Sequence, residues 1–316
     1  MNSIAIIGAG TMGAGIAGLF AHAGCKVSLV DLSESLLQRG WRLLEMGQAA
    51  LLDAGLREEG DAEADQKRIT TTTRLDEACE GVDLLVEAIS EDLDLKREMF
   101  GKFDKMCPAE AILATNTSGL SISAISTATR NSGRVAGMHF WNPPHIIPLV
   151  EVTKGDETSD ETAQALMDVS RLLSKKPILV RQDVPGFVGN RLQFAVVREA
   201  LHLLAEGVAS AEDIDTAMTA GPGIRYGFMG PLRTADLGGL DVFRAISEYL
   251  FTALNSSGDA PPYLSNLVEA GKLGVKSGEG FYQYGAEDAP RFLTRRDRAL
   301  LGMLKALSKE EGDKHG

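Results

Sequence analysis

The chain has 316 residues, 44% of them hydrophobic and 24% charged, which is enough for a large core and two domains. A formal net charge of -12 argues against broad electrostatic attraction to nucleic acid or an anionic membrane, and no partner of either kind is expected. No apolar run reaches the length of a membrane span, and the three scattered cysteines (Cys25, Cys79, Cys107) lack metal-ligand spacing, so reduced packing cysteines, a cytoplasmic setting and no metal are expected.

The start, MNSIAIIGAG, has no basic leader and reads as a strand rather than a signal peptide. IAII at 4–7 suits a buried parallel strand. GAGTMG comes next, with Gly8, Gly10, Thr11, Met12 and Gly13 opening a helix that closes at Gly24. KVSLV is a second buried strand, ending on Asp31. Each part of this unit has a physical task. Gly8 permits a tight turn, Gly10 lets the backbone approach a pyrophosphate, and Gly13 lets helix and strand pack closely. The helix N-terminus offers free N–H groups and the positive end of its dipole to phosphates. Asp31 can accept from both ribose hydroxyls and would repel the 2′-phosphate of NADP, so NAD is the expected cofactor. Arg39 and Arg42 fall in a predicted helix with solvent-facing roles.

Further strands are predicted at 81–89, 111–117, 134–140, 149–155 and 177–182, with helices after the first and before the last. This alternation implies a doubly wound sheet with helices on both faces. After DVPGFVGNRL the pattern becomes helical throughout, which divides the chain into 1–184 and 185–316. The last segment, from FLTRRD on, carries an amphipathic stripe and then a polar tail prone to fray.

Strand ends in such a sheet face the cofactor crevice. ATNTSG brings Asn116 and Ser118 to one end, and MHFWN brings His139 and Asn142 to the next. A histidine there is suited to take a proton near neutral pH, and Glu151, in LVEV on the following strand, can reach its far nitrogen and fix the tautomer. Taken singly, each residue has a simpler reading: His139 as a strand-end core histidine, Glu151 as the exposed face of an alternating strand. His145, in the Pro-rich loop NPPHIIP, reads as a loop residue or a substrate contact.

GAGTMG, VEAISEDLDLK, ATNTSGLSIS, MHFWNPP…LVEV, DVPGFVGNRL, SAEDIDTAM and KSGEGFYQY, in order from residue 2 to about 284, resemble the 3-hydroxyacyl-CoA dehydrogenase family. The resemblance implies an α/β fold, a Rossmann-type doubly wound sheet plus a C-terminal all-α domain that dimerises. It implies NAD-dependent oxidation of a β-hydroxyl to a ketone. By motif, His139 corresponds to the catalytic base, Glu151 to its partner, Ser118 to the serine on the substrate oxygen and Asn190 to the asparagine of the helical domain. Glu91, Lys96, Ser118, Asn142 and Lys276 correspond to cofactor contacts.

The chain departs from the family's pattern where substrate would bind. HFFNPVPVMKLVEV is usual where this chain has HFWNPPHIIPLVEV, and the stretch TAGPGIRYGFMGPLRT is a longer loop carrying Arg225 and Arg233. CoA-binding members place a serine and a lysine at positions matching about Gly47 and Ala54, within a segment that is acidic here. These departures resemble side branches acting on carnitine, gulonate or a hydroxymethyl-pyridine carboxylate. Arg225, with His145, is the candidate clamp for a substrate carboxylate, since a guanidinium binds carboxylate bidentately. The alternatives are therefore a CoA thioester dehydrogenase, a dehydrogenase of a small free hydroxy acid, and an NAD-binding protein without activity, whether crystallin-like or regulatory.

Overall fold

The computed structural model describes residues 1–285 and 287–312, so the end of the polar tail lies outside the described residues. The chain forms two compact units, Met1–Arg191 with Asp297–Ala306, and Leu192–Arg296 with the described residues beyond Ala306. Among the described residues no helix is long and apolar enough to cross a membrane.

The first unit is built on strands β1 (Ser3–Ile7), β2 (Lys26–Val30), β3 (Ile69–Thr72), β4 (Leu84–Glu87), β5 (Ile112–Thr115), β6 (Val135–Phe140), β7 (Leu149–Lys154) and β8 (Lys176–Val180). They form an 8-stranded sheet in the order β3-β2-β1-β4-β5-β6-β7-β8. Between them run α1 (Thr11–His22), α2 (Glu34–Asp53), α3 (Asp61–Gln66), α4 (Leu75–Cys79), α5 (Leu93–Met106), α6 (Ile122–Ser126) and α7 (Asp160–Leu172). Period-2 alternation divides each strand between two cores. In β1, Ile4 and Ile6 join Phe20, Leu29, Leu44 and Met138 on one face. Ala5 and Ile7 join Leu85, Phe100, Phe103 and Leu113 on the other. The sheet is thus covered on both sides, as the continuous apolar runs of the sequence require.

Two features depart from the sequence expectation. Strand β3 carries no strand signal in sequence, because ITTT has one apolar residue; it pairs in parallel with β2 at the sheet edge and buries only Ile69 among its residues. Strand β7 runs antiparallel to β6 while β8 runs parallel to β7. The link from Phe140 to Leu149 is too short for the dozen or more residues that a parallel crossover needs, whereas α7 supplies such a crossover between β7 and β8. The antiparallel register sets His139 directly opposite Glu151.

Past the sheet come α8 (Gly189–Ala205), α9 (Ala211–Ala220), α10 (Pro222–Tyr226), α11 (Pro231–Gly238), α12 (Leu240–Leu250), α13 (Pro262–Glu269) and α14 (Asp288–Gly312). The predicted long loop around Arg225 is helical: α10 and α11 each begin with a proline, whose fixed φ suits a first helical position. Within the second unit Phe194, Phe228, Leu232, Leu237, Tyr249 and Phe251 are 61% to 83% exposed.

Candidate active site

The glycine turn between β1 and α1 is tightly specified. Gly8 has φ +104°, a conformation that disfavours any side chain, and a Cβ there would lie 2.6 Å from the Ala88 carbonyl oxygen. A Cβ on Gly13 would lie 1.7 Å from the Gly8 carbonyl oxygen, so helix and turn touch through backbone alone. Gly10, by contrast, faces open space, with nothing within 4 Å of an added Cβ. Helix α1 starts there with no capping side chain and no acid in its first turn, leaving its N-terminal dipole available to an anion. Asp31, at the end of β2, braces the turn: Oδ2 accepts from Ala9 N–H at 2.7 Å and Oδ1 from Leu32 N–H at 2.7 Å.

On the far side of the sheet, the Glu151 carboxylate is fully buried and takes four donors. Oε2 lies 2.8 Å from His139 Nδ1 and accepts from Trp141 Nε1–H at 3.1 Å. Oε1 accepts from Val188 N–H at 3.0 Å and Gly189 N–H at 2.9 Å. Those two N–H groups converge because Gly186 and Phe187 both have positive φ, 75° and 51°, which curls the backbone just before α8. Phe187 is a bulky residue in a costly conformation, and its ring centroid lies 5.9 Å from that of His139. Burial opposes ionisation of Glu151, but the bonds from His139, Gly189, Trp141 and Val188 hold its carboxyl below the usual range. An ionised carboxylate only accepts. Neutral His139 therefore carries its proton on Nδ1 and leaves Nε2 bare, the form that can act as a base.

A second polar network lies at the ends of β4 and β5. Lys96, 1% exposed on the first turn of α5, donates to Glu87 Oε1 at 2.6 Å, and Glu87 is itself fully buried. Glu87 also accepts from Thr115 Oγ1 at 2.7 Å and from Ile89 N–H at 2.7 Å. Lys96 lies 3.5 Å from Glu91, whose Oε1 accepts from Thr117 Oγ1 at 2.5 Å and Ser118 N–H at 2.9 Å. Glu91 and Lys96 thus fix the Ser118 turn, and the 44% exposed Glu91 side chain still presents its edge outward. Asn190 Nδ2 donates to the Ser118 carbonyl at 2.8 Å, joining the start of α8 to the same turn. Asn116 Oδ1 accepts from Phe140 N–H at 2.8 Å and stitches β5 to the end of β6.

The remaining predicted residues are dispersed. Asn142 is exposed after β6, and Arg39 and Arg42 are exposed on α2. Lys276 and Arg225 are exposed residues of the second unit. His145 turns its ring onto α2: a Cβ added to Gly47 would lie 3.3 Å from its Nδ1 and Cε1. Among the described residues no group of three or more His, Cys, Asp or Glu is placed to hold a metal ion.

Residues 3–184 match the 3-hydroxyacyl-CoA dehydrogenase NAD binding domain, and residues 186–284 match the C-terminal domain of the same enzymes. The chain belongs to the 3-hydroxyacyl-CoA dehydrogenase family. It is 33% identical over 311 residues to 5-formyl-3-hydroxy-2-methylpyridine 4-carboxylate 5-dehydrogenase of Mesorhizobium japonicum, covering 98% of this chain and 100% of that one. It is 41% identical over 285 residues to a probable 3-hydroxybutyryl-CoA dehydrogenase of Bacillus subtilis, covering 90% and 98%. Among solved structures, an NAD⁺-dependent dismutase, likewise a 5-dehydrogenase of the formyl-hydroxymethylpyridine carboxylic acid, superposes with TM-score 0.91 at 33% identity, covering 98% and 99%. The (S)-3-hydroxybutyryl-CoA dehydrogenase of Ralstonia eutropha superposes with TM-score 0.76 at 36% identity, covering 90% and 99%. This member of the 3-hydroxyacyl-CoA dehydrogenase family is an NAD-dependent oxidoreductase acting on CH–OH. Its own residues fit that cofactor: the open face at Gly10, the uncapped start of α1 and the carboxylate closing β2 are what a dinucleotide requires.

Three residues of these two networks are not singled out by motif. Trp141 is visible in sequence only as the odd aromatic in HFWN, and Glu87 only as an acid inside the apolar run LLVEA. Thr117 carries no sequence signal, since its role depends on where the turn lies relative to Glu91.

Proposed function

We propose that this enzyme oxidises the β-hydroxyl of a small free hydroxy acid to a ketone, rather than a CoA thioester. The observation that carries this reading is the His145 ring seated on Gly47. CoA-binding members, by resemblance, present a serine at that position and a lysine near Ala54. Here the position has no side chain, and the space a serine would fill is taken by the imidazole. The full-length likeness to a dehydrogenase named for a pyridine carboxylate supports the same reading. Arg225, exposed on α10 and suited to bidentate carboxylate binding, is the proposed clamp for the substrate carboxylate. The second reading, a 3-hydroxyacyl-CoA thioester, is favoured by the 41% identity to the Bacillus subtilis protein.

Bound NAD supplies the hydride acceptor. His139 Nε2 takes the hydroxyl proton as the C–H bond breaks, and Glu151 stabilises the imidazolium that results. The Ser118 hydroxyl and the second N–H of the Asn190 amide hold the substrate oxygen, which restricts the reacting geometry. By resemblance, Glu91, Asn142 and Lys276 correspond to cofactor contacts, while Lys96 acts from within by holding Glu87 and Glu91. In reduction, protonated His139 returns the proton. The apolar side chains left exposed on the second unit support a homodimer formed through that unit, and the reduced cysteines support a cytoplasmic location.

The test is NADH formation with 3-hydroxybutyryl-CoA and longer homologues beside a panel of free β-hydroxy acids that includes carnitine and gulonate. Turnover confined to free acids, with KM raised by Arg225→Ala, is the expected result. Turnover on thioesters alone would overturn the proposal, and an unchanged KM in the variant would remove Arg225 from it. Sedimentation velocity, expected to give a dimer, tests the assembly.

A further inference from the structure

We infer that Trp141 is a positioning residue that sets the basicity of the His139–Glu151 pair, an inference that rests on His139 being the base. Two donors share one oxygen. His139 Nδ1 lies 2.8 Å from Glu151 Oε2, and Trp141 Nε1–H donates to that same oxygen at 3.1 Å. Each hydrogen bond to a carboxylate favours its charged form and withdraws electron density from the oxygen that receives it. With the indole N–H in place, Oε2 stabilises the imidazolium less than it would alone. A phenyl ring in the same space would pack without donating.

The indole is held rather than free to drift. A Cβ on Gly189 would lie 2.3 Å from Trp141 Cζ2, so the ring lies against bare backbone at the start of α8. Its centroid is 5.6 Å from that of the His139 imidazole, with the planes tilted by 49°. Oε1 of Glu151 is occupied by the Val188 and Gly189 N–H groups, so the carboxylate cannot rotate to release either donor on Oε2.

Several charged side chains on the surrounding elements are engaged elsewhere. Lys154 at the end of β7 pairs with Asp160, and Asp183 ahead of α8 accepts from Ser121 and Ser123. Arg191 donates to the Pro185 carbonyl, and Glu91 holds Thr117 and Ser118. Opposite Glu151, β8 presents Ile178. The indole N–H is thus the one polar side-chain group, besides the imidazole itself, that bonds Glu151 among the described residues.

The titration itself needs no identified substrate. The enzyme, saturated with NAD and labelled with ¹⁵N-histidine, is titrated by NMR, and His139→Ala assigns the His139 ring among the five histidines. In Trp141→Phe, Oε2 keeps one donor and becomes more basic, the imidazolium is better stabilised, and the His139 midpoint moves up. Replacement of Trp141 by benzothienylalanine, which keeps the bicyclic shape and exchanges N–H for sulfur, moves it the same way even where the phenyl packs poorly. An unchanged midpoint, or one that falls, in the isosteric variant would overturn the inference. Turnover of His139→Ala on a substrate from the panel separates this from the reading it rests on: near wild-type turnover would remove His139 as the base whatever the titration shows.

Discussion

Replacing Glu151 with glutamine changes one atom and cannot satisfy the site. The carboxylate accepts four hydrogen bonds, two on each oxygen. An amide has one accepting oxygen and an NH₂ that only donates. If the oxygen stays with Val188 and Gly189, the NH₂ faces the His139 Nδ1 and the Trp141 N–H. The imidazole can adapt only by moving its proton to Nε2, which turns the bare base into a donor, and the indole N–H is left buried without an acceptor. The catalytic consequence is a wrong tautomer, worth roughly a thousand- to ten-thousand-fold in kcat by analogy with the orienting acid of a serine protease triad. The structural consequence is at least about 2 kcal/mol for orphaned buried donors, lowering the melting midpoint by roughly 4–8 °C. Steady-state NADH formation, NAD affinity by calorimetry and thermal melts read these separately. The expected result is a collapsed kcat with NAD affinity close to wild type. A kcat within tenfold of wild type, with an unaltered pH profile, would refute the assignment of Glu151 as the residue that fixes the tautomer.

Gly13→Ala places a Cβ 1.7 Å from a backbone oxygen that cannot move aside, so the variant loses NAD affinity and melts well below wild type; calorimetry and a thermal melt check both. Lys96→Met leaves the fully buried Glu87 carboxylate without its cation, and a loss of about 3–5 kcal/mol in urea unfolding is expected, with wild-type stability as the contrary outcome. Asp104 gives a pH-dependent case. Burial opposes its ionisation, but the bonds from Arg130 and Arg134 outweigh this and pull its pKa down to about 2. A depressed carboxyl stabilises the fold above its unfolded value, and that contribution fades as pH falls from about 4 towards 2. Asp104→Asn should therefore lose about 1–2 kcal/mol at pH 7, after allowance for screening at the 79% exposed Arg130. The gap to wild type should narrow below pH ~4; a gap independent of pH would contradict the assignment.

The parts of the molecule that were legible in sequence are those whose chemistry is local. GAGTMG and Asp31 could be read because turn, helix start and acid belong to one strand–turn–helix–strand unit, within which Gly13 meets Gly8, although the close approach of Gly8 to Ala88 reaches beyond it. Strands β1, β4 and β6 stood out because they are buried on both faces and so are apolar along most of their length, Glu87 and His139 being the ionisable exceptions. Edge strand β3 did not, since three threonines carry no such signal. The helices α10 and α11 read as a loop in sequence because their glycines and prolines also mark turns, and only the backbone shows which use is made of them.

What the sequence by itself determined was the cofactor turn and the doubly wound sheet around it, which come from periodicity and from residue chemistry at fixed short spacings, while the pairing of His139 with Glu151 as base and acid is what the family resemblance implies. Only the tertiary structure decided that Glu151 binds four donors, that Trp141 shares an oxygen with His139, that Glu87 with Lys96 supports the Ser118 turn, and that His145 covers Gly47. Each of these contacts joins residues from different elements, or depends on which way a strand or loop turns. The antiparallel return of β7 and the left-handed curl at Gly186 and Phe187 bring them together, and neither is written in any one stretch of chain.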